Sequence, residues 1–223
     1  MSTPAQTPPP PQPLDRRARR RQETIEEILD IAEAVMAADG VNALSLSEIA
    51  RRLGVQPPSL YTYFPSLMAL YDALFERGSR AHVEHASAAV AAAPPGLAAV
   101  VAWLEAETRW GVEHQAVAQL LFQRPVPSFV PSEWAMAPVM SSVTNLRGLL
   151  REAVRLGELG SGADSEEAAN LVIVWGNGIF ACTAANEPGC VWGEGRFTPL
   201  FPKVVTLLTS VYPPPAKPRR SKA

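Results

Sequence analysis

The 223-residue chain is 47% hydrophobic with a net charge of -2, so it can bury a substantial core in one or two domains. Its polar, proline-rich start lacks the apolar segment of a secretory signal, and no apolar run reaches the roughly 18 residues of a transmembrane helix. Two cysteines are too few for a disulfide framework. We therefore expect a cytoplasmic protein with no membrane partner.

Positive charge is concentrated at the two ends. Five arginines lie between residues 16 and 21, and two lysines and two arginines lie between 217 and 222, which leaves an acidic body. Basic ends on an acidic body predict contact with a polyanion through local patches. Residues 1–15 are predicted to be a disordered, proline-rich arm. For the basic tail at 213–223 we favour disorder that only aids solubility.

The first predicted element is a helix over residues 16–38, whose apolar positions repeat every 3.6 residues and which ends at Gly40. A second helix ends at Leu53. Ser45 and Glu48 fit a capping box at its start, in which each side chain accepts the other residue's backbone N–H.

Gly54 permits a sharp turn into a third helix, which begins at Pro57 or Pro58, where a missing N–H costs nothing. A fourth helix over 66–85 braces these short elements. The sequence thus predicts an all-α fold that begins with a helix-turn-helix domain at 16–85.

Polar and aromatic residues are expected on the open side of the third helix. A helix in the DNA major groove reads bases through short hydrogen-bonding side chains and apolar contacts, and tyrosine hydroxyls can bond phosphates. The alternative is an ordinary solvated face. The candidates for DNA contact are Gln56, Pro57, Ser59, Tyr61, Thr62 and Tyr63.

The segment from Thr24 to about Leu74 resembles the DNA-binding domain of the tetracycline-repressor (TetR) family of bacterial regulators. The match is carried by Leu53-Gly54-Val55 and above all by the segment Ser59-Leu60-Tyr61-Thr62-Tyr63-Phe64. The resemblance implies a homodimer with an N-terminal helix-turn-helix and a helical effector domain. By position it implies that Ser45 and Ser47 lie near phosphates and that Pro58 joins the DNA face.

One feature of that family is missing here. Members often carry a lysine shortly after the aromatic residue that corresponds to Phe64, whereas this chain has Pro65-Ser66-Leu67 and no lysine before Lys203. The arginine cluster becomes a candidate substitute, with Arg19, Arg20 and Arg21 as its predicted DNA contacts. Cationic side chains at a helix N-terminus oppose the helix dipole, and a basic arm suits phosphate or minor-groove contact. Simple solubilisation remains the alternative.

Residues 86–212 are expected to form one helical effector-binding and dimerisation domain. Helices are predicted from Leu97 past Trp110, with a break near Gly111 and an end at Arg124-Pro125, and then from Ser132 to about Leu156. Segments 113–134 and 174–189 resemble a TetR subgroup that often has His-Gly where this chain has Asn177-Gly178.

The segments at 168–185 and 198–211 are too apolar for free surface helices. Two such helices per subunit predict a four-helix dimer interface. A single intramolecular core is the alternative that periodicity leaves open.

Aromatic and soft apolar residues of the second domain together predict the lining of a small-molecule pocket, although each taken singly is more often plain core. The predicted effector is apolar or amphipathic. The candidate ligand-binding residues are Trp103, Trp110, His114, Phe122, Phe129, Trp134, Met140, Trp175 and Asn177.

Enzymatic function is not expected, because the sequence shows no phosphate loop, nucleophile elbow or paired-carboxylate signature, and no cofactor is predicted. His82 and His85 are a weak metal pair without a clear third ligand. The favoured interpretation is a repressor released from a pseudo-palindromic DNA operator by a small molecule. The alternative is a dimeric ligand- or protein-binding module whose helix-turn-helix no longer binds DNA.

Overall fold

The computed structural model describes residues 16–216, and its regular structure there consists of nine α-helices and three short 3-10 helices. The predicted all-α fold is confirmed for these residues. The predicted disordered arm at 1–15 and residues 217–223 of the predicted tail lie outside them. The α-helices are α1 Arg16–Asp39, α2 Leu46–Leu53, α3 Pro57–Leu60, α4 Leu67–Ala92, α5 Leu97–Glu113, α6 Gln115–Phe122, α7 Glu133–Arg155, α8 Glu166–Asn186 and α9 Phe201–Val211.

The first three helices and the start of α4 pack together in one part of a hydrophobic core that continues into α5–α8, and we call this part the head. Ile28, Ile49, Leu60 and Leu70 are fully buried in it. Gly54 adopts φ 73° at the end of α2, a left-handed conformation that favours glycine. The buried Tyr71 hydroxyl donates to the Val41 carbonyl oxygen at 2.7 Å, which ties α4 to the turn before α2.

The predicted capping box is only half formed. Ser45 Oγ accepts the Glu48 backbone N–H at 3.2 Å as expected. The Glu48 carboxylate instead accepts hydrogen bonds from Arg51 and Arg52, each at 2.7 Å from Oε1. These bonds, Arg51 first, lower the Glu48 pKa from 4.5 to about 2. Two nearby guanidinium groups therefore outcompete the backbone for this side chain.

Helix α4 continues to Ala92 instead of ending near His85, so it crosses the predicted domain boundary at 85/86. The alanine-rich residues 86–93 have high helix propensity but little periodicity, which hid the continuation. Pro94-Pro95 explains where the helix stops. One helix of 26 residues thus belongs both to the head and to the second domain.

Helix α5 is the centre of the second domain and packs against α4, α7 and α8. It ends at Glu113, and the break falls at His114 rather than near Gly111. Gly111 instead allows close approach of Phe180 on α8, since a Cβ there would lie 3.3 Å from that ring. Helix α6 ends at Phe122, two residues before the predicted end. Ser132 caps α7 as predicted, accepting the Ala135 N–H.

Helix α8 is long and apolar enough to cross a membrane by length and composition alone. No unbroken apolar run in the sequence revealed it, because polar residues interrupt the helix. Its most apolar 18-residue window has a mean hydropathy of 1.5. Core helices of globular domains have the same composition. One face of α8, including Val172 and Phe180, is buried and packs in the second domain against α5 and α7.

Candidate functional site

The predicted recognition segment is a single helical turn followed by tighter turns. Helix α3 spans four residues, Pro57–Leu60, and hydrogen bonds from the Tyr63 and Phe64 N–H groups to the Leu60 carbonyl oxygen continue the curvature. Two prolines at its start remove backbone donors, and Pro65 prevents further helix. The third helix is therefore shorter than the two turns suggested by its apolar positions.

Most side chains predicted to face outward from this segment are exposed. The exposed members are Gln56, Pro58, Ser59, Tyr61 and Thr62, and Pro57 is half-buried. Tyr61 has 56% of its surface exposed. At the start of α2, Ser47 is exposed while the half-buried Ser45 is occupied as the cap. The exposure of these side chains suits contact with a groove.

The arginine cluster is helical from Arg16 onward, so within the described residues these side chains belong to α1 and not to an extended arm. Arg21 lies over the recognition segment: its Nη1 donates to the Thr62 carbonyl oxygen at 3.2 Å, and its guanidinium carbon is 5.1 Å from the centre of the Tyr63 ring. Tyr63 is therefore partly covered. Arg19 and Arg20 are exposed, with Arg19 3.7 Å from Glu23.

A cavity of about 110 Å³ lies in the second domain between α4, α5, α7 and α8. Three of the predicted ligand residues line it: Trp103, Phe122 and Asn177. Gly176 also contributes to the wall, because its missing side chain lets α8 approach Thr108 on α5; a Cβ there would lie 2.8 Å from Thr108 Oγ1.

The other six predicted ligand residues lie elsewhere. Trp134 and Met140 are exposed near the start of α7, at 61% and 58%, and Trp175 is half-buried against the second-domain core. Phe129 is buried in the head, beside Tyr71. Trp110 is buried behind the cavity wall, and the exposed His114 stacks on it at 4.6 Å between ring centres. Aromatic composition gave no signal for which helix face each ring occupies.

Polar residues that were not predicted as ligand contacts form a connected cluster at the cavity. Trp103 Nε1 donates to Ser142 Oγ at 3.3 Å, and Ser142 Oγ donates to Glu107 Oε1 at 3.0 Å. His82 Nε2 lies 2.8 Å from Glu107 Oε2 but without the alignment of a hydrogen bond. The side chains of His82 and Glu107 are only 4% and 15% exposed.

The cluster joins three helices, α4, α5 and α7, so no local pattern in the sequence could have revealed it. In the sequence His82 stands out only as half of a metal pair with His85, whose side chain is exposed. No group of three or more His, Cys, Asp or Glu residues within 16–216 is arranged to hold a metal ion.

The cavity and the head are connected in two ways. His82 lies on α4, the helix that enters the head core with Leu70, Tyr71 and Leu74. The loop after Phe122 returns to the head, where Phe129 packs against Tyr71 at 5.7 Å between ring centres. The cavity wall and the head therefore share α4, and the loop after Phe122 contacts the head.

Both cysteines are free thiols. Cys182 is exposed on α8. Burial, followed by the neighbouring carboxylates of Glu187 and Glu194, raises the pKa of Cys190 and disfavours its thiolate.

Residues 28–74 match the family model of bacterial regulatory proteins of the tetR family. The HTH-type transcriptional regulator YobS of Bacillus subtilis (strain 168) is 36% identical over 55 residues, which are 25% of this chain and 29% of YobS. The match to this curated relative thus covers less than a third of its length.

Solved structures show the same fold over most of both chains. The TetR family transcriptional regulator PfmR from Thermus thermophilus has a TM-score of 0.63 at 20% identity, covering 87% of this chain and 96% of PfmR. The transcriptional regulator FadR from Bacillus subtilis in complex with stearoyl-CoA has a TM-score of 0.66 at 18% identity, covering 83% and 97%. The predicted resemblance to a His-Gly subgroup stays a prediction. Residues 28–74 thus match the tetR family model, and the described residues have the same fold as solved TetR-family regulators such as PfmR.

Proposed function

We propose that the chain is a cytoplasmic, homodimeric DNA-binding transcriptional regulator, a repressor that a small apolar or amphipathic molecule releases from a pseudo-palindromic operator. The observation that carries the proposal is the sharing of α4. This helix packs its first turns into the head and its middle turn, at His82, into the cavity wall.

DNA recognition is assigned to the exposed surface of the head. Gln56 and Ser59 have the side chains that read base edges, and the Tyr61 hydroxyl suits a phosphate. Arg21 lies against the recognition segment and supplies a cation there, which offsets the missing lysine after Phe64. Arg19 and Arg20 are exposed on the same helix and extend the basic surface.

Dimerisation is assigned to α8 and α9. Both helices carry large apolar side chains that remain exposed in the single chain, including Val174 at 62%, Leu207 at 49% and Val211 at 50%. Burial of these side chains against a second copy would remove them from water. Val205 on α9 is half-buried against the chain's own core, so Leu207→Asp tests the interface more cleanly than Val205→Asp does.

Release from DNA is assigned to expansion of the cavity. A volume of about 110 Å³ is below the roughly 300 Å³ or more of a typical small-molecule site. A larger ligand therefore has to separate α4 from α5 or α7, and this moves the head that α4 carries. The ligand can shift the equilibrium only by its difference in affinity for the two states.

The proposal is tested by selecting duplexes from a random library on the full-length protein and measuring their affinity by fluorescence anisotropy. We expect a pseudo-palindrome with half-sites about 34–36 Å apart, or a multiple of that spacing. Leu207→Asp should abolish both dimer and operator binding. Failure to select any sequence would support the module whose helix-turn-helix no longer binds DNA.

A further inference from the structure

Hydrogen bonds already made inside the protein leave the cavity wall rich in acceptors. The Trp103 N–H donates to the Ser142 hydroxyl oxygen, and the Ser142 hydroxyl donates to Glu107. The Thr108 hydroxyl donates to the Leu104 carbonyl oxygen at 2.7 Å. A carboxylate offers about four lone-pair sites. Ser142 occupies one of those on Glu107, and the remaining acceptors need donors from elsewhere.

The position of His82 also indicates that a hydrogen-bonding partner is missing at the cavity wall. Its Nε2 is buried within 2.8 Å of Glu107 Oε2 and yet makes no aligned hydrogen bond among the described residues, and the whole residue is only 3% exposed. Buried polar atoms in native proteins are normally satisfied. A bound group between these atoms and the cavity would supply what the protein itself does not.

The charge of the cavity wall also favours some ligands over others. Glu107 is an acidic residue in the wall, and His82, 2.8 Å from it, is the only basic side chain among the described residues that line the cavity. A carboxylate or phosphate group entering the cavity would meet the like charge of Glu107 with only His82 to offset it, whereas a cation would compensate Glu107. The rings of Trp103, Phe122 and Phe180 complete an apolar, aromatic enclosure that favours a cation over an anion.

We propose that this cavity binds a small apolar amine, held as its ammonium ion by Glu107. The inference rests on the proposed function, of which this cavity is the effector site. An ammonium group has three N–H donors, which match Glu107, the Thr108 hydroxyl oxygen and the Asn177 amide oxygen. The volume of about 110 Å³ is below the roughly 150 Å³ of a cavity that accepts benzene, so even an amine with a single aromatic ring has to enlarge the cavity, as the proposed release from DNA requires.

The test compares four probes of nearly equal size: benzylamine, benzyl alcohol, toluene and benzoate. Binding to full-length, DNA-free protein is measured by calorimetry for the wild type and for Glu107→Gln. We expect benzylamine to bind at least about tenfold more tightly than benzyl alcohol, because a hydrogen bond to a charged group is stronger than a neutral one. Glu107→Gln should remove that preference.

Two further variants keep the test informative if Glu107→Gln folds poorly. Asn177→Asp adds a second carboxylate to the wall and should raise benzylamine affinity. Glu105→Gln removes a carboxylate from the same helix that does not line the cavity, and it should change nothing. Benzoate binding as tightly as benzylamine, equal binding of amine and alcohol, or an unchanged preference in Glu107→Gln would each overturn the proposal.

Because these measurements contain no DNA, the inference and the proposed function fail separately. Selective amine binding without any selected operator would support the cavity assignment and refute the regulator. Operator binding that is released by an acid, with no selective amine binding, would refute only the amine assignment.

Discussion

Replacing Gly78 by alanine adds one methyl group where α4 passes close to α6. The new Cβ would overlap Val117 Cγ1 on α6, while the Leu121 methyl groups, at 3.7 and 3.8 Å, would be in ordinary contact. The steric conflict is therefore with one β-branched, buried side chain. We expect Gly78→Ala to push α4 away from α6 and thereby to displace the head, which α4 carries.

The expected change in stability is a difference between two effects. Alanine in place of glycine inside a helix stabilises by about 1 kcal/mol, whereas overpacking costs about 1–3 kcal/mol. The free energy of unfolding should therefore fall by between zero and about 2 kcal/mol. For a chain of this length, that lowers Tm by at most about 8 °C.

A matched control separates the two effects. Gly148 lies inside α7, and a Cβ there would meet nothing within 4 Å. Gly148→Ala should therefore gain the stability of alanine inside a helix without a clash. Adding Val117→Ala to Gly78→Ala removes the obstructing methyl groups. The double-mutant cycle should give a favourable coupling of about 0.5–3 kcal/mol.

Thermal unfolding by circular dichroism gives the stabilities, and anisotropy with the selected operator gives the functional effect. Gly78→Ala should weaken operator binding with the dimer retained, and Val117→Ala should restore the binding in the double variant. If Gly78→Ala stabilises as much as Gly148→Ala and leaves operator affinity unchanged, the close approach and the proposed route from cavity to head are both refuted.

Three further predictions concern the head. In anisotropy titrations, Gln56→Ala should relax preference at particular operator positions, whereas Tyr61→Phe should weaken binding to all duplexes alike; the reverse pattern would contradict the assigned roles. Arg21→Ala should make the slope of log affinity against log salt shallower by about 0.9, and an unchanged slope would mean that no phosphate contact was lost. The Glu48 pKa is lowered from 4.5 to about 2, so its contribution to stability is present above pH 4.5 and is lost as the pH falls towards 2. Glu48→Gln should therefore flatten the pH dependence of urea unfolding in that window, and a dependence equal to that of the wild type would show that the two arginine bonds do not persist in solution.

Much of the head, and some helix boundaries of the second domain, could be predicted from local signals. The apolar repeat of α1, the Ser45 cap of α2, the glycine turn at Gly54 and the Ser132 cap of α7 all depend on residues within a few positions of one another. Such features appear in the sequence because a helix closes its hydrogen bonds over four residues. The exposed recognition face followed from the same periodicity.

The cavity required the tertiary structure. Which aromatic rings line it depends on how α4, α5, α7 and α8 are rotated against one another, and this is why Trp103 lines it whereas Trp175, next to Gly176 on α8, does not. Composition identified these aromatic residues, but composition carries no information about helix rotation.

The sequence by itself determined the helical class, the helix-turn-helix and the polar surface that the head exposes, because periodicity and capping are local. Only the tertiary structure decided that α4 is continuous from the head to the cavity and that His82 meets Glu107, 25 residues further along the chain. Helix packing brings together side chains that are remote in sequence, and the burial and pairing of charge depend on that packing.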